Sequence, residues 1–372
     1  MNLPDMIDSL RQNPAAYAAE WKKSHPGNVV GFMCSYTPEE ILWAAGMLPF
    51  RLLGTHHAIE RADAHLQTYC CSLVRGCLEE VLSGRLAFLD GMIFPHTCDS
   101  IQRLSDIWRM RIPRMFHADV VLPAKLDTAS AQDYLIATLR KLITDLEHWT
   151  GRRITDDRLR DAVCRYNEIR SHLNTLAAWR QTHPGIISGS DFHTIVQAAM
   201  WMDREEFCRM LSGIVQSVIY MPTDQPFSGK RIVLSGGVCV VPDIYSIIES
   251  AGAAVVAEDV CTGDRFFQGI IDLEGDMTTH IARRMIDRIV CPAKHHGIFS
   301  RGNSLVETVR STCSDGVVFL FLKFCDPHGF DYPYLKDTLD RENIPSMLVE
   351  IEDSHLSEGQ LKTRLEAFIE ML

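Results

Sequence analysis

The chain has 372 residues, of which 46% are apolar, and a formal net charge of −11. This length allows two domains with full hydrophobic cores, and the composition excludes a largely disordered chain. The negative charge disfavours nucleic-acid binding, which needs clustered Lys and Arg. No stretch reaches the roughly 18 apolar residues of a membrane span, and the first residues lack a signal-peptide pattern, so we expect a cytoplasmic protein without a membrane partner.

The first third of the chain alternates short apolar runs with amphipathic stretches. Thr37, Pro38 and the glutamates that follow predict the start of a helix, with Thr37 as its cap. The predicted elements are a helix at 5–22, a strand at 28–33, a helix from 38, a strand at 48–53, a helix at 70–83 and a strand at 90–95.

The remainder divides into a helical part and a second alternating part. Residues 128–222 contain few Gly or Pro and are predicted to be helical. Predicted strands follow at 230–234, 253–257, 316–322 and 345–350, with helices at 242–251, 276–290 and 358–371. This order predicts an α/β fold with two doubly wound, flavodoxin- or Rossmann-like parallel-sheet domains joined by a helical segment. The expected boundaries are 1–127, 128–225 and 226–372.

Twelve cysteines are many for a chain expected in a reducing compartment. A disulfide framework is therefore not expected, and two interpretations remain: small buried apolar side chains, or ligands of a metal or cluster.

Three cysteines occupy positions that suit a metal centre. Cys98 follows the strand that ends at Pro95, and Cys325 follows the strand that ends at Leu322. Ligands of parallel sheets bind at the carboxyl ends of strands. Cys71 lies at a predicted helix start, where the helix dipole stabilises a thiolate. The long separations between them, however, favour structural or incidental cysteines when the spacing is taken alone.

Over nearly its whole length the chain resembles the 2-hydroxyacyl-CoA dehydratase and benzoyl-CoA reductase family. No single motif decides the resemblance, but their order and spacing are specific. The motifs are Cys34-Ser35-Tyr36-Thr37-Pro38-Glu39-Glu40-Ile41 with Ala44-Ala45-Gly46, Cys71-Ser72-Leu73-Val74-Arg75, Leu89-Asp90-Gly91 through Cys98-Asp99, Glu258-Asp259-Val260-Cys261-Thr262-Gly263-Asp264-Arg265, Leu322-Lys323-Phe324-Cys325-Asp326-Pro327 and 360–368.

The resemblance implies a [4Fe–4S] cluster held by Cys71, Cys98 and Cys325, with one iron left open. It also implies pairing with a homologous sister subunit or a second copy, and an ATP-dependent iron–sulfur activator that supplies electrons. The implied chemistry is one-electron reduction of a CoA thioester, either ketyl-radical dehydration or reduction of an aromatic ring. An alternative within the same complex is a subunit that only relays electrons. Glu40 matches an acidic position implied in proton transfer, and the other interpretation is that it stabilises a helix start.

The remaining cysteines have different interpretations. We interpret Cys34 and Cys261 as packed or loop residues, and Cys70 as a weaker alternative to Cys71 as a ligand. The cysteines interpreted as structural are Cys77, Cys164, Cys208 and Cys313. A related branch of the family holds a larger double-cubane cluster. Convergence of Cys239, Cys261 and Cys291 on the cleft would favour that reductase as the alternative function.

Candidates for contacts to CoA phosphates follow from the resemblance alone. They are Arg75, Arg265 and Lys294, for each of which a solvated surface position is the other interpretation. Ser235-Gly236-Gly237 is a tight turn or a phosphate contact. His96 either adjusts the cluster through a hydrogen bond or caps a strand end. The adjacent His295 and His296 are not expected to bind zinc together.

Overall fold

The structure is a computed structural model, and it describes residues 13–221, 227–238, 243–288, 291–294, 297, 299–352 and 358–372. The predictions that involve Cys239, His295 and His296 lie outside these residues, as do parts of the helices predicted at 5–22, 242–251 and 276–290.

The first sheet has four parallel strands in the order β2-β1-β3-β4. Its strands are β1 Val29–Phe32, β2 Leu48–Arg51, β3 Gly91–Pro95 and β4 Phe116–Val120, and its helices are α1 Pro14–Ser24, α2 Glu39–Ala44, α3 Ser72–Leu82 and α4 Asp99–Arg111. Strands β1, β2 and β3 are buried along their length, which explains their continuous apolar runs.

Four helices follow the first sheet, as the pattern over 128–222 predicts. They are α5 Ala129–Thr150, α6 Asp156–Thr182, α7 Gly189–Trp201 and α8 Arg204–Ile219. Each begins at a side-chain cap, in which Thr128, Thr155, Ser188 or Asp203 accepts a backbone N–H of the first turn.

The second sheet repeats the topology of the first, with the order β6-β5-β7-β8. Its elements are β5 Lys230–Gly236, α9 Ile244–Ser250, β6 Ala253–Asp259, α10 Asp264–Phe267, α11 Met277–Asp287, α12 Ser300–Ser311, β7 Gly316–Leu322, α13 Asp326–Arg341, β8 Ser346–Ile351 and α14 Glu358–Met371. Two all-parallel four-stranded sheets with intervening helices confirm the predicted α/β fold class.

The cores show how the two halves are connected. One face of the second sheet packs against α9 and α14, and the other against α12 and α13. Helix α11, although it lies between β6 and β7 in the chain, packs in the core of the first sheet with α2 and α5. Residues 264–287 therefore join the two halves.

Several local predictions differ from the structure. The helix predicted from Thr37 begins at Glu39, and Pro38 is its cap position without a side-chain capping bond. Strand β4 and helices α4, α10, α12 and α13 were not predicted. Strand β4 is only partly buried and contains His117 and Asp119, which weaken the apolar signal that identifies a strand.

Candidate metal centre

Cys71, Cys98 and Cys325 have the same local setting in three parts of the chain. They are the cap residues of α3, α4 and α13, and none of their side chains caps its own helix. All three line one cavity of about 500 Å³. Three helix amino termini, each with a partial positive charge, therefore meet at one set of thiols.

The sheet topology explains why distant residues meet there. In the order 2-1-3-4 the connections reverse direction between the first and third strands, and a crevice opens at their carboxyl ends. Cys98 follows β3, and Cys325 follows the equivalent strand β7. The cavity thus lies at the switch points of the two sheets.

Burial disfavours the ionised form of the three thiols. Burial raises the pKa of Cys71, and it raises the pKa of Cys98 to about 12. Burial, and next the proximity of Cys71, raise the pKa of Cys325. Three thiolates in this environment need a compensating cation, which is what a metal centre supplies.

The spacing of the thiols distinguishes between kinds of metal centre. Their three sulfur atoms do not form a group within 4.8 Å of one another. Tetrahedral zinc would need sulfur atoms about 3.8 Å apart, given Zn–S bonds of about 2.3 Å. At least one pair of these sulfur atoms is therefore farther apart than tetrahedral zinc would hold them.

His328 is a neighbour of the thiols that the sequence analysis missed. Its Nδ1 lies 3.2 Å from the Sγ of Cys325, one helical turn away on α13. Burial lowers the pKa of His328 to about 3, so the ring is neutral. The spacing of three residues after a cap cysteine was the available signal.

A second group of thiols lies beside the first. The thiols of Cys261 and Cys291 are hydrogen-bonded, Cys34 is close enough to raise the pKa of Cys291, and Cys261 is close enough to raise the pKa of Cys34. Cys34 in turn influences Cys98, and Cys261 influences Cys325. Cys261 and Cys291 therefore converge as the larger-cluster alternative requires, while Cys239 is not described.

The environment of this second group is cationic. The hydrogen bond from Cys291, and next Arg265 and Arg51, lower the pKa of Cys261 to about 5. Arg265 Nη1 lies 3.7 Å from Cys261 Sγ. Among the described residues, Nη2 of Arg51 and Nε of Arg288 are buried without a hydrogen-bond partner. Unpaired buried donors beside thiols favour an anionic occupant.

Glu40 is not brought to the thiol cavity. It lies in a separate buried network, where it pairs with Arg170 and lies 3.9 Å from Arg284. The adjacent Glu39 pairs with the fully buried Arg204 at 2.7 Å. This geometry gives Glu40 a structural role, and its role in proton transfer is a prediction that the structure does not test.

The other candidates are distributed around the cavity. Lys294 and Arg301 are both buried in the wall of the thiol cavity. Arg75 instead pairs with Asp63 on the surface, and Arg265 is buried against Asp259. His96 Nε2 is hydrogen-bonded to Asp119 Oδ1 at 2.8 Å, so the ring links the end of β3 to the neighbouring strand β4.

The glycines after β5 have a packing role. A Cβ atom at Gly236 would lie 1.9 Å from the carbonyl oxygen of Leu320, and one at Gly237 would contact the ring of His328. Gly236 therefore allows β5 and β7 to approach closely.

The fold and the thiol-lined cleft define a two-sheet α/β protein with a candidate metal centre at its switch points. A family model described as 2-hydroxyglutaryl-CoA dehydratase, D-component, matches residues 34–372. The chain belongs to this family, which confirms the family predicted from the motifs.

Curated relatives cover almost the whole chain. A benzoyl-CoA reductase subunit of Thauera aromatica is 30% identical over 88% of this chain and 86% of its own length. The (R)-phenyllactyl-CoA dehydratase beta subunit of Clostridium sporogenes is 26% identical over 97% and 96%. The (R)-2-hydroxyglutaryl-CoA dehydratase beta subunit of Acidaminococcus fermentans is 26% identical over 96% and 94%. Across the described residues, no helix has the length and apolar character to cross a membrane.

Proposed function

We propose that this chain is a subunit of an acyl-CoA dehydratase or aromatic acyl-CoA reductase, and that Cys71, Cys98 and Cys325 hold a [4Fe–4S] cluster. The observation that carries the proposal is the convergence of these thiols on one cavity. When bound, such a cluster supplies single electrons and, at an iron without a cysteine ligand, a Lewis acid for a substrate oxygen.

The protein residues around the thiols fit this group. Backbone groups in the first turns of α3, α4 and α13 act to lower the pKa of the cap cysteines, so they stabilise negative charge on the sulfur atoms. His328 is buried beside Cys325 and fixes one side of the site. At least one pair of the sulfur atoms lies more than 4.8 Å apart, a separation that a cluster with a cysteine on each of three irons can span.

The cavity favours an enzyme over a subunit that only relays electrons. A relay needs no substrate space beside its cluster, whereas about 500 Å³ is within the range of small-molecule sites. Lys294 brings a positive charge to a wall that also contains Asp99, Asp326 and Asp331, and this ammonium group suits the thioester oxygen or a CoA phosphate. Arg301 also lines the cavity, where it pairs with Asp331. The relatives include both dehydratases and a reductase, so either reaction is compatible with the family.

The relatives are named as subunits, which supports an assembly of more than one chain. We propose a homologous sister subunit or a second copy as the structural partner. An ATP-dependent iron–sulfur activator would supply the electrons.

The test is anaerobic purification of the full chain with iron and sulfide assays and EPR spectroscopy. Wild-type protein is expected to hold about four irons per chain. Cys98→Ala is expected to lose or damage the cluster because it removes one of three ligands. Cys164→Ala, at an exposed cysteine on α6, is the matched control and should keep its iron.

Iron that is absent from reconstituted anaerobic protein would refute the cluster and the chemistry built on it. Iron that is equally abundant in Cys98→Ala and wild type would refute the ligand set. Circular dichroism of each variant separates loss of a ligand from loss of folding.

A second candidate is a reductase with a larger double-cubane cluster. The observation in its favour is the group of Cys34, Cys261 and Cys291 beside the first three thiols. Buried Arg51 and Arg288 with unpaired donors suit the greater negative charge of such a group.

Iron content separates the two candidates. The larger cluster predicts about eight irons per chain and loss of about half of them in Cys261→Ala. The single cluster predicts about four irons, unchanged in that variant. Cys34→Ala provides a second variant should Cys261→Ala fail to fold.

A further inference from the structure

Three metal-binding side chains meet on the helical segment, and none of them lines the thiol cavity. Glu168 and His172 are four residues apart on α6, so they project from the same face of the helix. Cys208 lies on α8, which packs against α6. The carboxylate, imidazole and thiol atoms all lie within 4.8 Å of one another. Among the described residues, these three form the group of His, Cys, Asp or Glu side chains whose ligand atoms all lie this close together.

A cation already occupies the space between two of these side chains. The Arg165 guanidinium donates to the Glu168 carboxylate, and its Nη1 lies 3.5 Å from Cys208 Sγ. The thiol of Cys208 also hydrogen-bonds Glu168. The pocket therefore positions a carboxylate and a sulfur atom around a positive charge.

Arg165 also pairs with Glu205. This second pair would keep the guanidinium bound if a metal ion replaced it between Glu168 and Cys208. Its Nη2 lies 2.8 Å from Glu205 Oε1, and its Nε lies 3.1 Å from the same oxygen. Two carboxylates and a thiol thus face one guanidinium. A divalent cation at Glu168, His172 and Cys208 would leave the pair of Arg165 and Glu205 intact.

We propose that Glu168, His172 and Cys208 form a Zn²⁺ site that joins α6 to α8. A set of one sulfur, one nitrogen and one oxygen ligand suits zinc, whereas Mg²⁺ and Ca²⁺ prefer oxygen alone. Tetrahedral zinc needs ligand atoms about 3.3–3.8 Å apart, which side-chain rotations reach from the present separation.

Binding exchanges one proton for the metal. The Cys208 thiol loses its proton to solvent, its sulfur bonds Zn²⁺, and water completes the fourth position. No oxidation or reduction occurs. Because Cys208 is buried and Glu168 is exposed, the metal would enter from the solvent side of α6.

The experiment adds Zn²⁺ to anaerobically purified holoprotein, removes weakly bound metal with a mild chelator and measures zinc and iron together. About one zinc per chain is expected, with a sulfur scatterer in the zinc K-edge absorption spectrum. That scatterer should disappear in Cys208→Ser. His172→Gln and Glu168→Gln should each weaken zinc binding at least about tenfold, with iron unchanged.

Two further variants make the test specific. Arg165→Met should strengthen zinc binding, because it removes the competing cation, whereas a chance surface ligand would give no such gain. Cys164→Ser, at an exposed thiol on the same helix, should leave zinc binding unchanged.

Equal zinc affinity in wild type, Cys208→Ser, His172→Gln and Glu168→Gln would overturn the site, as would bound zinc without a sulfur neighbour. Glu168 is exposed, so Glu168→Gln tests the site without disturbing a core. The parallel iron assay keeps this result separate from the proposed cluster.

Discussion

A cysteine at the cap position of a helix makes no side-chain capping bond here, but its sulfur atom lies at the positive end of the helix dipole. Cys71, Cys98 and Cys325 all have this setting. The aspartates that follow Cys98 and Cys325 lie in the first turn and stabilise those helices in place of a side-chain cap. The local sequence thus maintains the helices and leaves the thiols available for the cavity.

Glu40 gives the first prediction at the residue scale. Burial acts to raise the pKa of Glu40, but Arg170 and Arg284 outweigh it and lower the pKa. Glu40→Gln leaves Arg170 as a buried charge without its carboxylate. The free energy of unfolding in urea should fall by about 3–5 kcal/mol. Asp157→Asn, on the first turn of α6, is the exposed control, and an equal effect in both would contradict the prediction.

Asp264 gives the second prediction at the residue scale, a change of stability with pH. Burial, and next the neighbouring Glu258 carboxylate, raise the pKa of Asp264 from 3.8 to about 8. The folded protein therefore keeps this proton while the unfolded chain releases it. The contribution of Asp264 to stability is complete below pH 3.8 and is lost as the pH rises to about 8.

Asp264→Asn should therefore gain stability relative to wild type as the pH rises. Urea unfolding of both proteins between about pH 5 and pH 8 measures this difference. A difference that does not change with pH would show that Asp264 ionises normally in the fold. Asp287→Asn, at an exposed aspartate of α11, is the control.

At the scale of elements, the two sheets have the same strand order and place equivalent strand ends at one cleft. Strand β3 leads to Cys98 and strand β7 leads to Cys325. Close packing of β5 on β7 sets the position of the β7 end that leads to Cys325. Its most constrained contact is Gly236 against the backbone of Leu320.

Gly236→Ala should destabilise this part of the protein. Its Cβ would lie 1.9 Å from the Leu320 carbonyl oxygen, so one strand must move. We expect the free energy of unfolding to fall by about 3 kcal/mol or more. Gly213→Ala, in open space on α8, should instead stabilise by up to about 1 kcal/mol. Equal changes in the two variants would contradict the packing argument.

At the scale of the whole molecule, α11 makes the two halves interdependent. This helix follows β6 of the second sheet but packs in the core of the first, where Ile281 and Met285 are buried. Arg51 of β2 adds a link, since its Nη1 donates to the Cys261 carbonyl oxygen at 2.9 Å. The proposed cluster, with ligands from both halves, would require such a fixed relation.

Ile281→Ala should therefore affect the whole protein although its segment belongs to the second half of the chain. Ile281 is 1% exposed, and its truncation leaves a cavity that should cost about 2–5 kcal/mol. Thermal unfolding should remain a single transition at a lower temperature. Two separate transitions would show that the halves are independent, and Arg283→Ala, at an exposed position, is the control.

The sequence determined the parts of this protein that depend on neighbouring residues. Apolar runs located seven of the eight strands found in the described residues, and cap and strand-end positions marked Cys71, Cys98 and Cys325 as candidate ligands. Strand β4 was not predicted, because it is partly polar and only its packing shows that it belongs to a sheet. The motif order also identified the family.

The tertiary structure decided which distant residues meet. Nothing local distinguishes Cys34, Cys261 and Cys291, which lie in separate loops and become one group through folding. The resemblance suggested Glu40 as a site residue and its helix start suggested a structural role, and only folding shows that α6 and α11 surround it with arginines. The physical reason is that periodicity and capping act within a few residues, whereas burial and the pairing of charges depend on contacts across the whole chain.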